Sequence, residues 1–202
     1  MNSALKNMLR RMRRRVHQSL GHDVRVPVQA DCARLFLGTE YGGWCVSPEK
    51  LNAQSVVYSF GVGEDISWDL AMIDRFGVTV HAFDPTPKSI AWLKTQDHPP
   101  QFQFHDYGIA TFDGTAQFTL PGSSNVSFTM AGTPNQEGQP VVSGQVRRLS
   151  TIMDELGHRR VDILKMDIEG AENDVIADLE TLKLEIDQLL VEFHHRIGNR
   201  QE

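Results

Sequence analysis

The sequence predicts an α/β domain: a largely parallel sheet flanked by helices. Three observations predict it. Short apolar runs alternate with helical patterns from Gln54 onward, the first run ends in a glycine turn, and acidic residues follow the later runs where their strands should end. The 202 residues are 40% hydrophobic, 8% aromatic and 23% charged, a globular profile that excludes disordered, collagen-like and fibrous chains. Such a length suits one domain plus an extension.

The extension comes first. Residues 1–25 hold Lys6, Arg10, Arg11, Arg13, Arg14, Arg15 and Arg25 against Asp23 alone, a formal +6 within a total of −6, which leaves −12 on the rest. Leu5, Met8, Leu9, Met12, Val16 and Leu20 recur at steps of three and four and share one helical face. The reading is a basic amphipathic helix that packs on the domain or on a second subunit. Peripheral contact with an anionic membrane is the alternative, and nucleic acid is the least favoured partner.

Residues 26–202 form the domain. Ser55–Phe60 is a buried-strand candidate ending in glycines, and Ile66–Phe76 has the apolar spacing of a helix. Val78–Phe83 is the second strand, Pro87–Lys94 its helix and Gln101–His105 the third strand. After Gln117 helical periodicity disappears, and Pro121–Gln145, rich in Gly, Ser, Asn, Pro and Gln, is expected to be a long surface loop or a β-excursion. The alternation resumes with a helix at Leu149–Leu156, for which Ser150 is a plausible cap. Strand Val161–Met166, helix Ala171–Leu182 and strand Asp187–Phe193 complete it.

Two constellations carry chemistry. The turn Phe60-Gly61-Val62-Gly63-Glu64-Asp65 allows close backbone approach of a ligand, and Asp84 ends the second strand where a carboxylate would accept hydrogen bonds from ribose hydroxyls. No third glycine follows. Glu64 and Asp65 would repel a pyrophosphate, which weakens a nicotinamide dinucleotide reading, but they suit a cofactor bearing positive charge. They equally suit the first turn of a helix. The second constellation is Lys165-Met166-Asp167-Ile168-Glu169-Gly170-Ala171-Glu172, followed one strand later by Glu192, His194 and His195. Adjacent parallel strands would deliver Asp167, Glu192 and His194 to one crevice, as a proton-abstracting cluster or a divalent metal site. The structural alternatives are a Lys165–Glu169 ion pair and histidines that only cap the strand end.

The segments VRRLSTIMDEL, VDILKMDIEGAENDVI and LLVEFHH, with KMDIEGAE the most specific part, resemble the FkbM-type S-adenosylmethionine-dependent methyltransferases. The glycine turn, the FDPTP around Asp84 and the run Tyr107-Gly108-Ile109-Ala110 before Asp113-Gly114 support the resemblance. It implies a Rossmann-like class I methyltransferase fold and methyl transfer, usually to a hydroxyl oxygen of a sugar or other small metabolite. Carried across by position, it implies that Gly61, Val62, Gly63 and Glu64 bind the cofactor and that Asp84 holds its ribose. Asp106 and Tyr107 would hold the adenine, with Asp167 near the methionine end. Asp167 and His194 are then the catalytic candidates. Tyr41, Trp44, Glu169 and Glu192 are substrate candidates, Tyr41-Gly42-Gly43-Trp44 being similar to a segment of some members that could close over the site. That segment reads equally as a glycine turn with two core aromatics.

Nine residues follow Phe193, where the class I fold adds a helix and an antiparallel strand pair, so an open sheet edge is expected. A partner subunit, making a homodimer, would cover it, as would the arginine-rich helix or the long loop. The competing function is a non-catalytic cofactor-binding scaffold or partner-dependent subunit. With no apolar run long enough to span a membrane and no signal-peptide core, the expected setting is cytoplasmic, and Cys32 and Cys45 are expected to be free thiols.

Overall fold

The computed structural model describes Met12 and residues 28–119, 129–130 and 141–194. The chain divides into two units, Met1–Cys32 and Ala33–Glu202, and the second holds everything that follows. The arginine-rich face and His195 lie outside the described residues.

Ahead of the alternation, β1 (Leu35–Leu37) and β2 (Trp44–Val46) make an antiparallel hairpin in which Leu37 faces Trp44. The central sheet contains β3 (Val56–Phe60), β4 (Thr79–Phe83), β5 (Phe102–His105), β10 (Arg160–Met166) and β11 (Glu185–Val191). All pair in parallel, in the order β11-β10-β3-β4-β5. Parallel strands are joined by crossovers, so α1 (Ser67–Phe76), α2 (Pro87–Leu93), α3 (Leu149–Leu156) and α4 (Glu172–Leu182) cover both faces. On one side Val57, Val80, Ala82 and Ile163 pack with Trp68 and Met72 of α1 and Leu93 of α2. On the other, Tyr58, Phe60, Phe83, Leu164 and Met166 pack with Ile152 of α3 and Val175 of α4. Trp68 and Met72 are fully buried, and each contributes about 2 kcal/mol through its apolar area.

A second sheet takes in every described residue of the segment expected to be a long loop or a β-excursion, which there is the excursion. It contains β6 (Tyr107–Ile109), β7 (Gly114–Thr119), β8 (Thr129–Met130) and β9 (Val141–Arg147) in the order β6-β9-β7-β8. Residues 121–128 and 131–140 of that segment lie outside the described residues, and its last five are strand. Val142 and Val146 pack with Ala110, Ala116 and Phe118. Gly144 in β9 is required by close approach, since a Cβ there would lie 2.6 Å from the carbonyl oxygen of Pro85.

The expected cap of α3 is corrected. Ser150 lies inside the first turn, and Asp113 does the capping: its Oδ1 accepts from the Arg148 N–H at 2.8 Å and its Oδ2 from the Thr151 hydroxyl at 2.9 Å. At the β11 edge, the Gln188 side-chain amide accepts from the Ser47 N–H (2.8 Å) and donates to the Ser47 carbonyl (3.0 Å), doing for one residue what a neighbouring strand would do. Cys32 and Cys45 are free and exposed. Among the described residues no helix is long and apolar enough to cross a membrane.

On β4, His81 stacks on His105 (Nδ1 to Nε2, 3.2 Å) and meets edge-on the ring of His158, whose Nδ1 lies 2.8 Å from the Tyr58 hydroxyl. Burial, reinforced by His105 and His158, pushes the His81 imidazole down to about 4. The folded protein therefore resists a proton that the unfolded chain accepts below about 6.5. Stability is complete above that pH and falls as pH drops towards 4, by about 3 kcal/mol from this group. Thermal melts of His81→Phe between pH 7 and pH 4 are expected to show a shallower decline than wild type; parallel declines would assign the acid sensitivity elsewhere.

Candidate active site

The ladder continues one residue beyond the strands, and this builds the floor of a cleft. The Gly61 N–H donates to Phe83 O (2.9 Å), Asp84 N–H to His105 O (3.2 Å), Asp167 N–H to Phe60 O (3.1 Å) and Glu192 N–H to Met166 O (3.0 Å). Gly61, Asp84, Asp167 and Glu192 are thereby placed at successive C-terminal strand ends, where ligands bind in open α/β sheets. All four line one cleft of about 800 Å³, a volume suited to a nucleoside carrying an amino-acid arm together with a small acceptor.

At one end is the glycine turn. Gly61 has φ +74°, and a Cβ there would lie 1.8 Å from the Asp167 carbonyl oxygen, so only glycine lets the two strand ends approach. Gly63 has φ +56° with no atom within 4 Å of an added Cβ, leaving open space above the turn. Asp84 braces this turn: its Oδ2 accepts from the Gly63 N–H at 2.9 Å, and its Oδ1 accepts from the Thr86 N–H (2.9 Å) and hydroxyl (2.6 Å). A carboxylate has about four acceptor positions. One position on Asp84 therefore remains for a ligand hydroxyl. Glu64 pairs with Lys88 at 2.5 Å, and Asp65 Oδ1 accepts from the Ser67 N–H at 2.8 Å at the start of α1. Val62 is buried in the α1-side core at the edge of the cleft.

At the other end four side chains meet. His194 donates from Nδ1 to Glu172 Oε1 at 2.7 Å, while its Nε2 lies 3.5 Å from Glu169 Oε2 and 3.6 Å from Asp167 Oδ1. Glu169 reaches this position from the left-handed backbone region, φ +54°, before Gly170 at φ +106°. Glu172, almost fully buried, also accepts from the Gly170 N–H at 3.0 Å and so ties the turn to α4. Burial alone would lower the His194 pKa, but the Glu172 hydrogen bond and the charges of Glu169, Glu172 and Asp167 outweigh it and push it up to about 9. Burial raises the Asp167 carboxyl to about 6, with Glu192 and Glu169 pushing upward against Lys165 and His194. Asp167 Oδ1 is buried and has no hydrogen-bond partner among the described residues. Its environment is prepared for a proton from elsewhere.

Several sequence expectations change here. Glu169, not Glu192, is the third group that closes on Asp167 and His194, with donor atoms within 4.8 Å of one another. Pushed up to about 9, His194 pairs as an imidazolium with these carboxylates, and the same three donor atoms are spaced to hold a metal ion. Lys165 does not pair with Glu169: its ammonium sits 5.2 Å from the Trp44 ring centroid and 5.8 Å from that of Trp68. Asp106 and Tyr107 are not part of the cleft wall. Asp106 borders a separate concavity beside α2, and Tyr107 is buried in the central-sheet core beside Phe83 and His105, with the Arg147 guanidinium 4.2 Å over its ring. Gly108 and Ile109 line the cleft instead. Tyr41 is no core aromatic, being 84% exposed at the cleft mouth, whereas Trp44 packs against the core. Sequence reasoning missed Phe36 and Phe118, which also line the cleft; Phe118 arrives from β7, whose pairing no local pattern announces.

A parallel sheet in this strand order, with a braced glycine turn and an acidic cluster at its C-terminal ends, defines a Rossmann-like methyltransferase fold. Residues 48–202 match the Methyltransferase FkbM domain, and the chain belongs to that family. It is 30% identical over 151 residues to the human "Probable methyltransferase-like protein 24", covering 71% of this chain and 33% of the relative. The protein of the same name from Rattus norvegicus is 28% identical over 148 residues, covering 70% of this chain and 33% of its own length. The chain thus spans about a third of the length of the curated relatives it matches. No solved structure matches it.

The glycine turn is tested by two substitutions of like backbone strain. Gly157 has φ +73° with no atom within 4 Å of an added Cβ, so Gly157→Ala should cost only the left-handed penalty, about 1–2 kcal/mol. Gly61→Ala adds the collision with Asp167 and should cost at least twice as much by denaturant unfolding; equal losses would show that the strand ends separate easily.

Proposed function

We propose that this domain transfers a methyl group from S-adenosylmethionine to a hydroxyl oxygen of a small hydroxylated molecule such as a sugar. The observation that carries the reading is Asp167: a carboxylate whose buried oxygen has no hydrogen-bond partner among the described residues, raised to about 6, beside an imidazolium and the glycine turn. When bound, the sulfonium supplies both the methyl group and its leaving group. The chain's residues bind and orient. Asp84 and the turn hold the ribose, and the open space over Gly63 admits the nucleoside backbone.

Asp167 is the base in this reading. At neutral pH it is mostly ionised, and it takes the proton from the acceptor hydroxyl as the new carbon–oxygen bond forms. His194 is not the base, because Glu172, Glu169 and Asp167 keep it protonated; it holds the neighbouring carboxylates in position. The cleft mouth suits a sugar-like acceptor. Phe36, Tyr41 and Trp44 offer aromatic faces for C–H surfaces, and Glu169 and Glu192 offer acceptors for hydroxyls.

Calorimetric titration with S-adenosylhomocysteine should give saturable binding that Asp84→Ala weakens about tenfold or more, with no binding of NAD. No binding by wild type would sink the cofactor assignment, and equal binding of NAD would return the nicotinamide reading. With a panel of hydroxylated acceptors, Asp167→Asn should retain cofactor binding and lose turnover.

The pH dependence follows from the charges around the two groups. Asp167 faces Lys165, Glu192, His194 and Glu169, while His194 faces Glu172, Glu169 and Asp167. Activity should rise through about 6 as Asp167 ionises and decline above about 9 as His194 loses its proton. Glu172→Gln should move the alkaline limb to lower pH, since it removes the largest group raising His194; an unmoved limb would assign that limb to another group.

A further inference from the structure

Among the described residues three cations line the cleft, and two are already engaged. Lys88 pairs with Glu64, and His194 with Glu172. The third, Lys165, is 4% exposed, and its ammonium contacts only the faces of Trp44 and Trp68. Among the described residues it has no hydrogen bond and no carboxylate oxygen within 4.0 Å. Asp65, Asp69 and Asp167 act on it only at longer range.

A buried ammonium is costly unless something offsets its lost hydration. Two indole faces offset part of that cost, but they accept no conventional hydrogen bond, so the three N–H donors keep an unused capacity towards the cleft. Near Lys165, Trp68 Nε1 is buried without a hydrogen-bond partner among the described residues, and burial pushes Asp69 up to about 6 against the opposing pull of Lys165 and Ser59. Among the described residues no carboxylate closes on this lysine as an ion pair.

Its place in the sheet says what would complete it. Asp84 ends β4, and Lys165 lies near the end of β10, with β3 between them. Two inter-strand steps are about 10 Å. That is the scale of an amino-acid arm extended from a ribose held at Asp84, across Gly61, towards Asp167. Among the described residues the other charged groups near this end are carboxylates, which repel an anion, and the His194 imidazolium that they enclose, leaving Lys165 as the cation without an ion pair.

We infer that Lys165 binds the α-carboxylate of the methyl donor's amino-acid arm, its ammonium held for that purpose between Trp44 and Trp68. The inference rests on the S-adenosylmethionine reading and adds a residue to it. Trp44 has a double role, walling the cleft and orienting the cation, so the hairpin contributes to the donor site.

The test is calorimetry on the full chain with S-adenosylhomocysteine, its decarboxylated analogue and methylthioadenosine, which lacks the arm. Wild type should bind S-adenosylhomocysteine about tenfold or more tightly than the decarboxylated analogue. Lys165→Met should abolish that difference while leaving methylthioadenosine affinity unchanged, and Lys165→Arg should preserve much of it. Should Lys165→Met fail to melt cooperatively, Lys165→Gln serves as the neutral variant. Persistent discrimination in the neutral variant overturns the proposal, as does an equal loss for all three ligands, which would make Lys165 structural. A carboxylate supplied by the acceptor instead would show as wild type binding the acid and its decarboxylated analogue equally. Wild type binding none of the three would bring down the cofactor reading itself.

Discussion

Four backbone hydrogen bonds, each one residue beyond the end of a strand, are the constraint on which the cleft depends. They carry the ladder from β5 across to β11 and place Asp84, Gly61, Asp167 and Glu192 at the mouth of the sheet. Side chains alone could not maintain this spacing against thermal motion, because each has rotamers to choose from. The backbone has none to spare. Gly61 shows how tight the arrangement is, its missing Cβ being the space occupied by the Asp167 carbonyl.

On that floor the electrostatics divide into two regimes. Around Asp84 every strong charge is satisfied by backbone N–H groups or by Thr86, giving a rigid receiving surface. Around Asp167 the charges crowd one another, and a cluster of carboxylates is held near a single imidazolium. Burial magnifies both the repulsion between the carboxylates and their attraction to His194. The outcome is a pair of groups with separated proton affinities, the acid form of one and the base form of the other coexisting at neutral pH.

The strands and helices of the central layer were legible because buried parallel strands are written as uninterrupted apolar runs, and VVYSF, TVHAF and VDILKM are such runs. KMDIEGAE was legible for the opposite reason, polar residues being conspicuous where a buried strand should end. The second sheet was legible only as one of two alternatives, a β-excursion beside a long surface loop. VVSGQVR alternates as a strand should, but its glycine and serine disguise the pattern, and the glycine is there because Pro85, remote in sequence, passes against it. Asp106 and Tyr107 lie beside residues that line the cleft without lining it themselves, Tyr107 packing into the central-sheet core, which no local pattern announces. Lys165 was visible as a charge, yet its lack of an acidic partner is a property of three-dimensional placement.

The clasp between Gln188 and Ser47 sets different rules for its two members. Gln188 supplies side-chain atoms, whereas Ser47 supplies only its peptide N–H and carbonyl. The clasp itself therefore asks nothing of the side chain at position 47 and excludes only proline there. Position 188 has no such freedom, since asparagine carries the same amide on a stem one carbon too short.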